Sequence, residues 1–448
     1  MKSIYNKYKK VFLVTYFVSL CVYAYTYINE IANPDKYFYR EYYIAGDWEI
    51  SLGRFFTQFI DQLGYGIKQS IITSVFVLAV FTLCSIFLCE ILEVERKWTA
   101  FVIALLFVTS PKIMATLTCY YCSDAYSIAY LCICIAIYLV KQDTRKFKFG
   151  LLKYSGIFFI AIALGIYQAV IGALATLSFI LVLLCILRED KDILPKIRDI
   201  FIINAAGVLL YYILMKLALK IYNLKMPEYR GIGNFSILNI LQHLPQTFVK
   251  AYQEFYQYFF GSEIYVNSYR LIRWNILLFG LAVLTVLALF MIKGNRLYQI
   301  AAVVLLLLLP AVTAVMDLII PETSIDTLQT DGFILVLPLF IRFIEYTLGR
   351  LSLYKPNFKK LLKGGVITGY FFALIISFKY ILITNTDAVA LQFSTRQSIE
   401  VGRRILKDFE DGHYFGKYKL DIIGVTKDGN YPIPDSLNYN TNRDGKLG

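Results

Sequence analysis

The sequence predicts an all-α polytopic membrane protein with about eleven transmembrane helices. Three observations predict it. Of the 448 residues, 58% are hydrophobic and 17% charged, whereas soluble domains run near half and a quarter. The apolar residues also fall in long blocks instead of short amphipathic periods. Finally, the basic residues crowd into alternate connections: segments 1–10, 93–97, 141–153, 188–199, 293–297 and 349–363 total 60 residues and hold 22 of the 45 Lys and Arg. Basic connections stay on the cytoplasmic side, so the N-terminus is expected inside and the C-terminus outside. The same bias accounts for the net charge of +13, and no nucleic-acid partner is expected.

A helix crosses the hydrocarbon layer in about 20 apolar residues. The runs that qualify are 11–28, 70–92, 98–115, 124–140, 151–167, 169–187, 200–221, 274–292, 298–316, 331–348 and 364–384. The first follows Lys7, Lys9 and Lys10 as a signal peptide would. It is long for one and lacks a cleavage site, so it reads as an uncleaved helix. The stretch 151–187 is long enough for two helices joined at Tyr167–Gln168. Inner connections are short, while 29–69, 222–273 and the tail 385–448 form large outer segments. Two domains are therefore expected: a transmembrane body over 1–384 and a small extracytoplasmic domain over 385–448.

Irregular backbone cannot lie in lipid, so polar chemistry belongs to the outer segments. In 50–63, Leu52, Phe55, Phe56, Phe59, Ile60 and Leu63 repeat at helical spacing, with Arg54, Gln58, Asp61 and Gln62 largely opposite. That pattern predicts one amphipathic helix lying in the interface. Residues 246–260 repeat it with Phe248, Tyr252, Phe255 and Phe259. In the tail, Ser394–Asp411 reads as helix and Lys419–Val425 as a strand, together a small α/β cap.

No P-loop, dinucleotide fingerprint or nucleophile elbow is present. His243 and His413 cannot build a zinc site of the usual spacing, and neither a metal nor a cofactor is expected. Cys21, Cys84, Cys89, Cys132, Cys134 and Cys185 lie in apolar runs as small hydrophobes, and Cys119 and Cys122 form a CxxC without the surroundings of a redox motif.

What remains are charged and amide groups at the outer face. Asp35 and Asp47 are candidates for a base that deprotonates a hydroxyl, since burial at a membrane surface lifts a carboxylate towards that range; both also suit turns. Arg54 suits a phosphate, or simple snorkelling to the interface. Asp124, after Ser123, either caps a helix or faces a lipid-linked substrate. Glu49, Lys112 and Gln168 join the substrate-binding candidates. So do Arg270 and Arg273, outer-side cations that topology does not require. Arg342 and Glu345 stand at i and i+3 within a span, where pairing on the helix is the economical reading and function the alternative.

The acidic first outer loop runs into Ser51-Leu-Gly-Arg-Phe-Phe56. With Ser110-Pro111, Ser123-Asp-Ala-Tyr-Ser-Ile-Ala129 and Gly165-Ile-Tyr-Gln-Ala169, it resembles the seroconverting O-antigen (type II Gtr) glucosyltransferases of the GT-C superfamily, over most of the chain. Members carry an adjacent acidic pair early in this loop; here Asp35 stands alone and Asp47 follows twelve residues later, so either is the base. The resemblance implies a protein of the bacterial plasma membrane. It implies inverting transfer of a sugar, usually glucose, from a polyprenyl-phosphate donor to a surface glycan acceptor. Asp124 would support the site, and arginines would face the phosphate within membrane lipid. A lipid-linked sugar flippase or polysaccharide transporter is the alternative. Transporters, however, place polar groups at mid-membrane and often show inverted repeats, and no repeat is visible.

Overall fold

A computed structural model describes residues 2–33, 42–142, 152–190, 192–228, 237–261, 269–292, 294–320 and 325–412. Among these every regular element is helical, and the one β pairing is an isolated antiparallel bridge between Tyr42 and Ile67. The chain opens with α1 (Lys2–Val22) and its continuation α2 (Ala24–Ile28), then two short helices, α3 (Asp47–Ser51) and α4 (Thr57–Leu63). After α5 (Ser70–Ile91) come α6 (Lys97–Val108) and α7 (Pro111–Thr118), bent by 44°. The bend has a local cause: proline cannot continue a helix and disfavours helical backbone at the residue before it, and Ser110 is extended at ψ 146. Tyr23 compensates by donating its hydroxyl to the carbonyls of Val108 and Ser110 at 3.0 and 3.3 Å.

Next are α8 (Ser123–Lys141), α9 (Gly156–Ile166) and α10 (Ile171–Arg188), with the chain extended at Tyr167 between the last two. The remainder is α11 (Ile193–Ile221), α12 (Ile237–Phe260), α13 (Tyr269–Leu289), α14 (Arg296–Thr313), α15 (Val315–Ile319), α16 (Val336–Tyr354) and α17 (Lys359–Asp411). At the centre α8 packs on α5, α9 and α10, while α6 sits among α1, α5, α16 and α17. Burial falls outward, from 78% of the apolar window of α10 to 22% of that of α11. The outer helices turn Phe201, Leu209, Val283, Leu287 and Leu307 away from the protein. Continuous apolar surface of that extent is what hydrocarbon, not water, solvates. The chain is a polytopic helical membrane protein.

Each of the eleven apolar runs is helical, and seven helices are long and apolar enough to cross a membrane, or eight with the bent α6–α7 pair as one span. The others fall short for visible reasons: lysines at the start of α1, the shortness of α9, and Arg342, Glu345 and Arg350 in α16.

Two expectations change. The single amphipathic helix over 50–63 is instead two helices, α3 and α4, broken at 52–56, because Gly53 adopts φ +84. The expected boundary at residue 384 falls inside α17, which runs unbroken for 53 residues, about 80 Å at 1.5 Å per residue. The proposed strand at 419–425 lies outside the described residues.

Candidate active site

The break at Gly53 is set by close approach. A Cβ there would lie 2.7 Å from the Tyr211 hydroxyl and 3.0 Å from Gln168 Nε2, and its positive φ belongs to the region that favours glycine. Beyond the break the chain docks onto the α9–α10 junction. Phe56 N–H donates to Gly165 O at 2.9 Å and Thr57 Oγ1 to Ile166 O at 3.0 Å. Gly165 is itself required, since a Cβ would meet Phe56 Cδ2 at 2.6 Å. Two of the sequence strings singled out above, 51–56 and 165–169, are thus two halves of one interlock.

The interlock aims Arg54 inward. Arg54 Nε donates to Gln168 Oε1 at 3.3 Å, and Nη1 to the Tyr126 hydroxyl at 3.2 Å. Its guanidinium lies 5.3 Å from the centre of the Tyr167 ring, and Tyr126 and Tyr167 stack at 4.0 Å. Gln168 is fixed in turn by donating to Leu52 O at 2.6 Å and to the Tyr211 hydroxyl at 3.0 Å. Among the described residues no carboxylate forms an ion pair with Arg54, so its charge is held by neutral groups. An arginine always carries that charge. Held so, its charge is not cancelled by a carboxylate among the described residues.

Two residues before Tyr126 on α8, Asp124 enters a second cluster. Lys68 Nζ lies 2.7 and 2.9 Å from the Asp124 oxygens and 2.8 Å from Asp61 Oδ1. Asp61 Oδ2 accepts from Ala45 N–H at 2.8 Å. The Tyr42–Ile67 bridge and the Tyr43 N–H to Gly66 O bond, 2.8 Å, tie the 42–45 segment beside this cluster. Asp61 and Lys68 are buried, whereas the Asp124 side chain keeps 20% of its surface. Burial pushes the Asp61 carboxyl up to about 6 against the pull of Lys68. Lys68 loses solvation, yet Asp124 and Asp61 together hold its ammonium above the usual range. One ammonium cannot neutralise two carboxylates in a dry pocket, and the deeper of the two takes the strain.

A third group completes this end of the bundle. Lys112 and Asp331 pair at 2.8 Å, both fully buried. Lys112 lies over the rings of Phe81 and Tyr130, and Tyr130 donates to the Asp331 carbonyl at 3.2 Å. Helix α8 links the groups, since it carries Asp124, Tyr126 and Tyr130.

The structure therefore brings together Arg54, Lys112, Asp124 and Gln168. It places Asp47 exposed on the first turn of α3. Glu49 accepts from Gly46 N–H at 2.8 Å, closing the start of that helix. Arg270 and Arg273 are exposed at the start of α13, which packs on α12, α16 and α17. Asp35 lies outside the described residues. Arg342 and Glu345 pair at 3.3 Å and belong to the opposite end, where Arg342 also donates to Leu92 O. Asp61, Lys68 and Asp331 are the members that sequence reasoning missed. In the sequence Asp61 reads as the polar face of a helix and Asp331 as the start of a span, and Lys68 carries no local signal.

The family model for glucosyl transferase GtrII matches residues 39–337, about two thirds of the chain, and this span holds every member of the three groups. No curated protein sequence and no solved structure matches.

Proposed function

The chain belongs to the glucosyl transferase GtrII family, and from that premise we propose that it moves glucose from a polyprenyl-phosphate donor to a surface glycan at the outer face of the bacterial plasma membrane. The observation that carries this reading is the presence of two unlike groups at the first turn of α8. Arg54, charged and held by neutral partners, meets Tyr126. Asp124, the part-exposed member of the buried ion cluster, stands two residues away. A lipid-phosphate donor has an anionic leaving group at the membrane boundary, and an acceptor hydroxyl requires a base close by. In this reading Arg54 takes the phosphate oxygens as the sugar–phosphate bond breaks. Asp124 accepts the hydroxyl proton, and attack from the opposite face inverts the anomeric centre. Asp35 is retained as the second carboxylate to test, and exposed Asp47 ranks below both. Lys68 fills the space between Asp61 and Asp124 where a divalent cation would sit, which favours metal-independent transfer. The loop-rich end faces outward and the N-terminus inward.

The test uses the purified protein in lipid vesicles with synthetic short-chain polyprenyl-phosphate glucose and a glycan acceptor. Asp124→Asn is expected to cut the initial transfer rate about 10²–10⁴-fold. Arg54→Lys at saturating donor is expected to cut it at least tenfold, because an ammonium does not reproduce a guanidinium fork on phosphate. Chelator should leave the parent rate unchanged. Movement of the lipid-linked sugar across the bilayer without transfer to acceptor would sink the proposal in favour of a flippase.

A further inference from the structure

We propose that Asp61, a residue with no direct access to substrate, is a positioning residue that acts through Lys68 to set the pH at which Asp124 is ready to take a proton. The inference rests on Asp124 being the base. The geometry is a buried chain of three charged groups. Ala45 N–H donates to Asp61 Oδ2, Asp61 Oδ1 meets Lys68 Nζ, and Lys68 Nζ grips both Asp124 oxygens. Only Asp124 reaches the open side. Asp124 Oδ1 also accepts from Ala125 N–H at 2.9 Å, so the carboxylate is fixed both from its own helix and from Lys68. Among the described residues, the other ionisable groups beside this chain include Cys122, Arg54 and Tyr126. The Cys122 thiol, pushed up to about 12 chiefly by burial, stays neutral.

The chain works by dividing one positive charge. With Asp61 ionised, Lys68 is shared between two carboxylates. When Asp61 takes a proton, Lys68 attends to Asp124 alone, and proton transfer to Asp124 is disfavoured. Burial lifts the Asp61 carboxyl to about 6, which brings this change close to neutral pH. A mere brace would fix the place of Asp124 without coupling its basicity to a second proton.

The experiment is the pH–rate profile of transfer at saturating donor, for the full-length protein in lipid vesicles. Asp61→Asn removes the negative charge while keeping an acceptor for Ala45 N–H. Its acid limb is expected about one unit or more below the parent's, with a plateau several-fold lower and an unchanged KM for donor. The double variant Asp61→Asn with Lys68→Gln strips Asp124 of its ammonium, so its acid limb is expected above the parent's. Opposite displacements in the two variants are what a structural brace would not produce. If both keep the parent's inflection while Asp124→Asn is inactive, this inference is overturned and the base assignment stands. Near-full activity of Asp124→Asn would overturn the base assignment itself. If neither Asp61 variant folds, the parent decides: two coupled carboxylates titrate in two steps, and a single-step acid limb overturns the inference.

Discussion

The two ends of the helix bundle use the same ion pairs in different solvents. At the loop-rich end, Lys68 and Asp61 keep 2% and 0% of their side-chain surface, and Lys112 and Asp331 keep none. At the other end, Lys7 pairs with Glu90 and Lys196 with Asp190, the lysines 39% and 44% exposed. Glu93 there receives both Lys141 and Arg188. A charge in a dry interior depends on its partner, because little else solvates it. An exposed charge is solvated by water whether or not the partner is present. One end is therefore built as a fixed constellation. The other carries a basic coat whose distribution, not its pairing, matters for orientation. Exceptions at that end are Glu345, buried among Thr99, Tyr370 and Arg342, and Lys153, buried and paired with Asp199.

The contrast breaks most readily at Lys112. Lys112→Met leaves Asp331 buried and unpaired, and is expected to lower stability by about 3–5 kcal/mol. Lys7→Met at the other end should cost no more than about 1 kcal/mol. Reversible denaturant unfolding in mixed micelles measures both, and equal losses would erase the distinction drawn here. The next effect is a pH dependence confined to the buried end. The Asp61 carboxyl is raised to about 6 in the fold, from about 3.9 in the unfolded chain. Between these values the folded state binds more protons. Stability should thus decline as pH rises from about 4 to 6, by roughly 1–3 kcal/mol, and stay level above that. In Asp61→Asn the decline should vanish; its persistence would assign it to another group. The smallest effect sharpens the other side. Lys196→Ala should change stability by under about 1 kcal/mol at low salt and by nothing measurable in 1 M salt, where charges beyond about 3 Å are screened. A salt-resistant loss would mean that the exposed end is drier than its accessibility implies.

Much of this architecture was legible in the sequence. The eleven apolar runs became helices, and four residues picked from the strings around 54, 112, 124 and 168 converged at one end. Local pattern also served for Arg342 and Glu345, which pair at i and i+3. What escaped is what distant residues decide. The amphipathic repeat over 50–63 is real, but Gly53 takes a positive φ, with Tyr211 and Gln168 where a Cβ would be, and no local pattern announces this. Lys68 acquires its role only when α4 and α8 deliver Asp61 and Asp124 to it. The last apolar run ends at 384, at the polar stretch Thr384-Asn385-Thr386. In the fold these side chains bond back to carbonyls one turn earlier, Tyr380, Ile381 and Leu382, and α17 continues. Such back-bonding satisfies a polar side chain without ending the helix.

The pairing of Lys112 with Asp331 also has a temporal side. Asp331 lies 219 residues downstream of Lys112, and at roughly 5–20 residues per second the ribosome takes on the order of 10–40 s to reach it. During that interval α5 to α10 can already be threaded into the bilayer, with a lysine waiting for a carboxylate that has not been made. Arg54 waits less long, for Gln168. The order of synthesis therefore leaves Lys112 without its buried partner until residue 331 has been made, and this pair of the finished bundle can form only after that.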